Sequence, residues 1–331
     1  MTATLTKLKK PLIIIGVIVL LVLSITLSYF VIRKIGENRL RNKLSHTDGE
    51  VSSSAYDQAE ADAYYNGSAY DYNNDLVNIL LIGVDKDSIK DNNSKQADAV
   101  FLVSFNPKTD EVNVIAISRN TMADIEIYDM NGEFLNTDKA QICLSYAYGK
   151  DAAESSLLTC KAVSRLLYNI PINGYYTVYM DSISQIVDSV GGVTVTVPED
   201  LTEVSAKWKK GSTVTITGKD ALSYLRHRSD LSEERLQRQK QFISAFAESA
   251  KRAVLKDISL PFNMYNKLAK NTVTNVDVTS AVYIASEIVK ADFKILQIPG
   301  NVGFKDEKET FEPNETALYE QVLDVFYKIK K

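Results

Sequence analysis

Four arginines and one glutamine lie close together in the sequence, and side chains of these types can bind phosphate. Arg226 and Arg228 are two residues apart, so they face one ligand only where the backbone is extended. Arg235, Arg238 and Gln239 have the i, i+3, i+4 spacing that places side chains on one helical face. Guanidinium groups bind phosphate oxygens in pairs and stay charged at physiological pH. The five side chains therefore suggest a phosphate site, and a diphosphate suits their number.

The same arginines also have an ordinary structural interpretation. Arginines on amphipathic helices are usually solvated or paired with acids, and Asp230, Glu233 and Glu234 lie in this segment. Spacing alone favours that interpretation, so the phosphate site depends on other residues that are brought to the same place.

A second group of charged residues lies where three predicted strands begin or end. The strands are residues 78–83, 97–105 and 112–118, the last two joined by a turn as a hairpin. If the first strand also pairs antiparallel with the second, Asp85, Asp98 and Arg119 meet at one edge of the sheet. Two carboxylates and a guanidinium can hold a hydrated divalent cation against a phosphate. The alternative is a surface loop with scattered charge.

Residues 12–32 predict a membrane anchor. They are twenty-one uncharged residues rich in Ile, Leu and Val, and at about 1.5 Å per residue they cross a hydrocarbon core of about 30 Å. The stretch is longer than the apolar core of a cleavable signal peptide, so we expect it to be retained. Residues 1–11 are then a short head that we place in the cytoplasm, and residues 33–76, which are polar, form a linker with partial helix.

The charges around this span leave its orientation open. Basic residues lie on both sides: Lys7, Lys9 and Lys10 before it, and Arg33, Lys34, Arg39, Arg41 and Lys43 after it. The excess of positive charge that marks the cytoplasmic side is therefore nearly tied. An outside location for the folded region follows only from the family resemblance given below.

Composition excludes some functions. The chain has 331 residues, of which 45% are hydrophobic and 24% charged, enough for one substantial core. Its net charge of −4, with no DNA-binding pattern, argues against nucleic acid as a partner. With only two histidines there is no zinc spacing and little basis for histidine catalysis. Cys143 and Cys160 form either a disulfide or a free buried pair, and the sequence leaves both open.

Strand and helix patterns alternate along the folded region, residues 77–331. Helices are predicted at 140–148, 152–167, 182–190, 218–225, 232–255 and 315–329, and further strands at 175–179, 193–197 and 293–298. This alternation predicts an α/β fold in which helices cover both faces of a mixed β-sheet. Residues from about 256 to 331 are expected to be a helical extension.

A series of motifs closely resembles the LytR-CpsA-Psr family over about residues 76 to 250. The motifs, in order, are Asn78 to Asp85, Ala97-Asp98, Ile117 to Arg119, Val190 to Val193, the Arg226 and Arg228 pair, and Arg235 to Gln239. Six motifs in the same order make a far more specific signal than any one of them.

The resemblance implies a fold, a location and an activity. The fold is a three-layer α/β/α sandwich with a central mixed β-sheet, held by one transmembrane helix at the outer face of a bacterial cell membrane. The activity is transfer of a glycopolymer, such as teichoic acid or capsule, from a polyprenyl diphosphate carrier to peptidoglycan. The product is a phosphodiester, and polyprenyl phosphate is released.

The resemblance also assigns roles to residues. Asp85 and Asp98 would bind magnesium or another divalent cation. The predicted diphosphate ligands are Arg119, Arg226, Arg228, Arg235 and Gln239, with Lys95 and Arg238 as further candidates. Asp98, Arg119, Arg226 and Arg228 are the predicted catalytic residues. Such a site suits phosphoryl transfer, which needs positioning and charge neutralisation more than a covalent nucleophile.

Three positions depart from the family pattern. Asn120 follows Arg119 where the family has an aspartate, Lys95 stands where an arginine is often found, and Ser232 replaces an aspartate. The changes at Asn120 and Ser232 motivate one alternative, a non-catalytic protein that binds the lipid carrier or wall polymer, or that regulates envelope assembly. A further alternative is a lipid diphosphate hydrolase, which uses water as the acceptor.

Overall fold

The computed structural model describes residues 34–36, 61–85, 95–227, 232–288 and 291–330. The first strands are β1 (Ala63–Tyr65), β2 (Ser68–Tyr72), β3 (Val77–Val84), β4 (Ala97–Asn106), β5 (Glu111–Ile117), β6 (Met122–Tyr128) and β7 (Phe134–Gln141). The later strands are β8 (Gly174–Tyr179), β9 (Val193–Thr196), β10 (Thr213–Ile216), β11 (Thr272–Thr274), β12 (Asp292–Gln297), β13 (Gly300–Lys305), β14 (Lys308–Pro313) and β15 (Tyr327–Ile329). The α-helices are α1 (Ala152–Leu166), α2 (Ile183–Ser189), α3 (Gly218–Arg226), α4 (Ser232–Lys256), α5 (Leu260–Leu268), α6 (Val278–Ile288) and α7 (Glu315–Phe326).

A mixed sheet lies at the centre of the fold, as the sequence predicts. Among the described residues it has six strands in the order β11-β8-β3-β4-β5-β12. β3, β4 and β5 pair antiparallel in sequence order, whereas β8 is parallel to β3 and β12 is parallel to β5. β3 and β4 are mostly buried along their length, which explains why both read as nearly continuous apolar runs.

Helices cover both faces of this sheet. Because side chains alternate along a strand, Leu80 and Ile82 of β3 face one way and Val77 and Ile79 face the other. The first pair belongs to a hydrophobic cluster with residues of α1 and α7. The second pair belongs to a separate cluster with residues of α4 and α6. Burial on both sides fixes the register of the strands whose ends carry the candidate site.

A third hydrophobic cluster lies beside the sheet and holds α3 against α4. It includes Val195 of β9, Trp208, Tyr224 of α3 and Phe242 of α4. The rings of Trp208 and Tyr224 pack edge-on, with centroids 5.3 Å apart. This packing sets the position of the C-terminal end of α3 relative to the first turns of α4.

The predicted linker extends too far toward the C-terminus. Residues 63–72 form the hairpin β1-β2, and β15 pairs antiparallel with β2. β15 occupies the end of the predicted helix 315–329, which stops at Phe326. The rings of Tyr72 and Tyr327 pack edge-on at 5.7 Å, so a contact between distant parts of the chain ends the helix. No local pattern signals such a contact.

Two further regions differ from the sequence expectation. Residues 140–148 begin as the end of β7 and continue as a 3-10 helix, Ile142–Tyr148, instead of forming one α-helix. Residues 256–331 supply β11 and β12, the two edge strands of the central sheet, so they are integral to it and not a helical extension. The predicted membrane span, residues 12–32, lies outside the described residues; within the described ranges, no helix combines the length and apolarity needed to cross a bilayer.

Candidate phosphate-binding site

The ends of three central strands bring Asp85, Asp98 and Arg119 to one edge of the sheet. Val84 pairs with Ala97, and Val100 pairs with Ile117. Asp85 follows Val84, Asp98 follows Ala97, and Arg119 lies two residues after Ile117, so all three lie at the same end of the sheet. Arg119 donates from Nη1 to Asp98 Oδ1, and from Nη2 to Gln96 Oε1. The antiparallel order that the sequence suggested therefore gathers these side chains.

The Arg226 segment joins this edge. Arg226 is the last residue of α3, and its Nη2 forms an ion pair with Asp85 Oδ2. The next residue, His227, has left the helix, with φ −50° and ψ 129°. The chain beyond Arg226 therefore turns out of helical geometry, as a shared ligand for Arg226 and Arg228 requires. Arg228 itself lies outside the described residues.

The first turns of α4 complete the site. Arg235 and Gln239, four residues apart, line one pocket together with Asp98 and Arg119. The remaining lining residues are Ala99, Ile117, Ser118 and Leu236. Two guanidinium groups, an amide and a carboxylate thus converge on one pocket at the sheet edge. Asp85, the ion-pair partner of Arg226, follows Val84, which pairs with Ala97 next to the pocket residue Asp98.

Arg238 does not join this group, which corrects its assignment as a diphosphate ligand. Its side chain is 0% exposed, forms an ion pair with Glu199 and donates to the backbone carbonyl of His227. Its Cζ lies 6.0 Å from the ring centroid of Tyr224. Residues three apart differ by about 60° around a helix axis. That difference is enough to turn Arg238 from the pocket toward the third hydrophobic cluster.

Lys95 also lies apart from the pocket lining. It lies two residues before the start of β4 and is half-buried, and the residues that line the pocket do not include it. Gln96 and Cys143 take the neighbouring positions instead: Cys143 Sγ lies 3.9 Å from Arg119 Nη2. Neither residue carries a sequence signal, since an isolated glutamine and an isolated cysteine fit many surroundings.

Both cysteines are free thiols in the structure, so the possible disulfide is not formed. Cys143 is buried beside Arg119, whereas Cys160 belongs to α1 and packs against the first hydrophobic cluster. The two thiols thus contact different parts of the structure: Cys143 contacts Arg119, and Cys160 packs against the first hydrophobic cluster. Burial raises the pKa of both, and the neighbouring Arg119 partly opposes that rise at Cys143.

Of the two departures from the family pattern at Asn120 and Ser232, the structure describes the side-chain contacts of Asn120 alone. Asn120 is buried; its Oδ1 accepts a hydrogen bond from Gln141 Nε2 at 3.3 Å, and its carbonyl accepts one from the Phe311 amide at 2.9 Å. Asn120 therefore ties the end of β5 to β7 and β14. Ser232 begins α4, but its side chain lies outside what the structure describes.

The two aspartates fit a shared magnesium ion better than a protein-only metal site. In the described part of the chain, no three residues among the His, Cys, Asp and Glu side chains form a metal-binding group. Mg²⁺ is usually bound by one or two carboxylates, with substrate phosphates and water as its other ligands. Asp85 and Asp98 match that donor set, and each is paired with an arginine: Asp85 with Arg226 and Asp98 with Arg119.

The fold and this arrangement of arginines and carboxylates identify the chain with a known family. The chain belongs to the LytR_cpsA_psr family, whose model matches residues 41–324. The resemblance seen in the sequence motifs is thereby confirmed.

Named relatives and a solved structure agree with this membership. The chain is 30% identical over 207 residues to the polyisoprenyl-teichoic acid–peptidoglycan teichoic acid transferase TagU of Oceanobacillus iheyensis, covering 61% of this chain and 60% of that protein. It is 26% identical over 279 residues to TagV of Bacillus subtilis, which carries the same transferase description, covering 78% and 67%. The structure of TagT bound to LIIa-WTA superposes with a TM-score of 0.60 at 23% identity, covering 76% of this chain and 89% of that one, and shows the shared fold.

Proposed function

We propose that the protein is a membrane-anchored phosphotransferase that moves an anionic glycopolymer from a polyprenyl-diphosphate carrier to a sugar hydroxyl of peptidoglycan. The observation that carries this proposal is the convergence of Arg119, Arg235 and Gln239 with Asp98 on one pocket. Relatives described as teichoic acid transferases support the choice of polymer and acceptor.

The diphosphate would be held by guanidinium groups from three separate elements. Arg119 follows β5, Arg226 ends α3 and Arg235 lies on α4, and we include Arg228 from the adjoining segment. Planar guanidinium groups match pairs of phosphate oxygens, and an amide such as Gln239 adds a donor without charge. The pocket therefore recognises the part of the substrate that different carrier-linked polymers share.

The proposed reaction is an in-line displacement at phosphorus. A peptidoglycan hydroxyl oxygen attacks the phosphorus that carries the polymer, and a new P–O bond forms. The bond from that phosphorus to the bridging oxygen breaks, and polyprenyl phosphate leaves with the bonding electrons. The hydroxyl proton passes to a base, and we assign this role to Asp98, the carboxylate among the residues that line the pocket. The arginines stabilise charge as it moves onto the leaving phosphate.

Asp85 and Asp98 would hold a magnesium ion, which supplies further neutralisation of phosphate charge when bound. In the structure each carboxylate is paired with an arginine, Asp85 with Arg226 and Asp98 with Arg119. These pairs keep acidic and basic groups of the site together and orient them toward one edge of the sheet.

The proposed location is the outer side of the cell membrane, with residues 12–32 as a single-pass anchor. Their length without charge supports the span. The peptidoglycan acceptor named for the relatives supports an extracytoplasmic folded region. In this arrangement the carrier lipid and the enzyme share one bilayer.

The test is a transfer assay with the full-length protein in lipid nanodiscs. The mixture contains a short-chain polyprenyl-diphosphate-linked sugar, peptidoglycan fragments and magnesium, and products are identified by mass spectrometry. Arg226→Ala is expected to abolish product. Lys305→Ala is the control, because Lys305 is an exposed basic residue on β13 and is not among the residues that line the pocket.

Each product pattern has a definite meaning. A sugar phosphate joined to peptidoglycan in the wild type and in Lys305→Ala, but not in Arg226→Ala, supports the transferase. Free sugar phosphate that does not depend on peptidoglycan would indicate hydrolysis. Carrier binding with no product from any variant would indicate a non-catalytic binding protein.

A further inference from the structure

The turn between α4 and α5 exposes three large apolar side chains. Leu255, Ile258 and Phe262 are 72%, 70% and 51% exposed. We call residues 255–262 the α4–α5 corner. Single exposed apolar residues are common, but three within eight positions form a patch that a soluble surface usually avoids. The corner therefore has the character of a contact surface.

Hydrogen bonds hold this turn in a defined shape. The side chain of Asp257 accepts from the Ser259 amide at 2.9 Å, and its carbonyl accepts from the Leu260 amide at 3.0 Å. Asn263 donates to the Ser259 hydroxyl at 3.0 Å. The polar groups of the turn thus bond to one another, while the apolar side chains on either side remain exposed.

Positive charge surrounds the corner. Residues 249–271 contain one acid, Asp257, and five basic residues: Lys251, Arg252, Lys256, Lys267 and Lys270. The chain as a whole has a net charge of −4, so this region is basic against the average. Arg252, Lys256, Lys267 and Lys270 are exposed. An apolar patch ringed by basic side chains suits a surface of anionic lipid headgroups.

The described residues that follow the predicted membrane span lie close to the helices of this region. Residues 34–36 begin two positions after the apolar stretch 12–32 and pack on α6: a Cβ at Gly36 would lie 2.5 Å from the Thr279 carbonyl oxygen. α6 in turn follows a turn that α5 contacts, since the Tyr265 hydroxyl donates to the Val276 carbonyl at 3.1 Å. Residues 34–36 therefore lie against a helix that neighbours α5, one of the two helices that carry the corner.

We infer that the α4–α5 corner rests on the bilayer surface, with its apolar side chains at the boundary between headgroups and acyl chains. This inference rests on the anchor in the proposed function. Leu255 lies sixteen residues from Gln239 on the same helix, about 24 Å at about 1.5 Å per residue. The contact thus holds the arginine site within reach of a diphosphate whose lipid stays in the membrane.

The test uses two equally exposed positions in the full-length protein. Ile258→Cys places a thiol in the corner, and Phe304→Cys places one at a residue that is also 70% exposed. Phe304 lies on the β13-β14 hairpin, which contributes Phe311 to the hydrophobic cluster on the other face of the sheet. Both variants are labelled with a thiol-reactive fluorophore, and wild-type protein, in which Cys143 is buried and Cys160 is partly buried, is the labelling blank.

The labelled proteins are reconstituted in phosphatidylglycerol-containing vesicles with nitroxide-labelled lipid. For a residue inserted about 5–10 Å into the headgroup boundary, we expect quenching at position 258 to exceed that at 304 by at least about two-fold. Equal quenching at the two positions would overturn the inference. Energy transfer between labelled copies at 258 without lipid quenching would also overturn it, because the corner would then contact a second copy.

A separate measurement distinguishes this inference from the proposed function. The vesicles are washed at alkaline pH before the fluorescence is read. Protein released by the wash would refute the anchor, and the inference would fail with it. Protein that stays in the vesicles but shows equal quenching would refute the corner contact alone and leave the transferase proposal standing.

Discussion

Arg235 and Arg238 are three residues apart in α4, and we expect the same substitution to lower ligand affinity at Arg235 and stability at Arg238. Arg235 is half-buried and lines the phosphate pocket. Arg238 is fully buried and holds Glu199 and the His227 carbonyl. Methionine preserves much of the length and helix preference of arginine but removes the charge and the donors. Arg238→Met should therefore affect stability, and Arg235→Met should affect ligand binding.

The expected cost of Arg238→Met follows from the partners it leaves behind. Removing one member of a buried ion pair costs about 3–5 kcal/mol. The Glu199 side chain is 22% exposed, so water reaches it in part and we expect a loss near the lower bound, about 3 kcal/mol. A loss of that size corresponds to a fall in Tm of about 6–12 °C for a domain of about 150–250 residues. Replacing Glu199 by Gln in the same variant should recover part of the loss, because no unpaired charge remains.

The expected effect of Arg235→Met is on affinity. Surface substitutions usually change the free energy of unfolding by less than about 0.5 kcal/mol, and we expect Arg235→Met to stay below about 1 kcal/mol. A hydrogen bond to a charged group contributes about 1.5–3 kcal/mol. Its loss should weaken diphosphate binding by about 10- to 100-fold at about 1.4 kcal/mol per tenfold.

Two assays on each variant separate these effects. Urea unfolding followed by circular dichroism gives the free energy of unfolding, and calorimetry with a soluble short-chain polyprenyl diphosphate gives the dissociation constant. The reasoning is wrong if Arg238→Met unfolds like the wild type. It is also wrong if Arg235→Met loses as much stability as Arg238→Met while its affinity for the diphosphate is unchanged.

Three further outcomes are expected. Burial raises the pKa of Asp277, but hydrogen bonds from the first turn of α6 outweigh burial and lower the pKa to about 2. The stability that this helix cap contributes should therefore be lost as pH falls from the ordinary value of 3.8 toward about 2. In urea unfolding, Asp277→Asn should lose about 1 kcal/mol at pH 7 and should lack this part of the pH dependence. Cys143 and Cys160 should react with a maleimide only after denaturation and without prior reduction, whereas a need for reductant would show a bridge. Magnesium should tighten diphosphate binding in calorimetry, and Asp98→Asn should reduce that effect; an unchanged effect would remove Asp98 from the metal site.

The strand edge of the site is predictable from the sequence because local pattern and topology agree there. The apolar runs of β3 and β4 and the turn before β5 leave one simple arrangement, in which antiparallel neighbours put Asp98 and Arg119 at the same end. Once that pairing is given, the contact between their side chains needs no long-range information beyond strand order.

The helical part of the site is predictable only in part. The i, i+3, i+4 spacing places Arg235, Arg238 and Gln239 near one another, but it does not say which flank of the helix meets the pocket. That choice depends on the third hydrophobic cluster, which turns Arg238 toward Tyr224 and Glu199. A buried arginine looks the same in sequence as a ligand arginine, since both are spaced along a helix that packs on two sides.

The contacts that the sequence missed join distant parts of the chain. β15, near the C-terminal end of the sequence, pairs with β2, which precedes the central sheet. Asn120, just after β5, is bonded to the Gln141 side chain and to the Phe311 amide. Each depends on loops that close at long range, which neither periodicity nor turn residues reveal.

The pairing of each carboxylate with an arginine gives a physical reason for coupling between cation and diphosphate in the proposed site. Asp98 is bonded to Arg119, and Asp85 is paired with Arg226. A diphosphate that binds these guanidinium groups competes with the carboxylates for the same donors, and it brings negative charge close to them. A divalent cation bound by the carboxylates relieves both effects, since it compensates Asp85 and Asp98 and attracts the phosphate oxygens. Each ligand therefore removes the cost of binding the other, and the coupling must be equal in both directions because it is a property of the shared free energy.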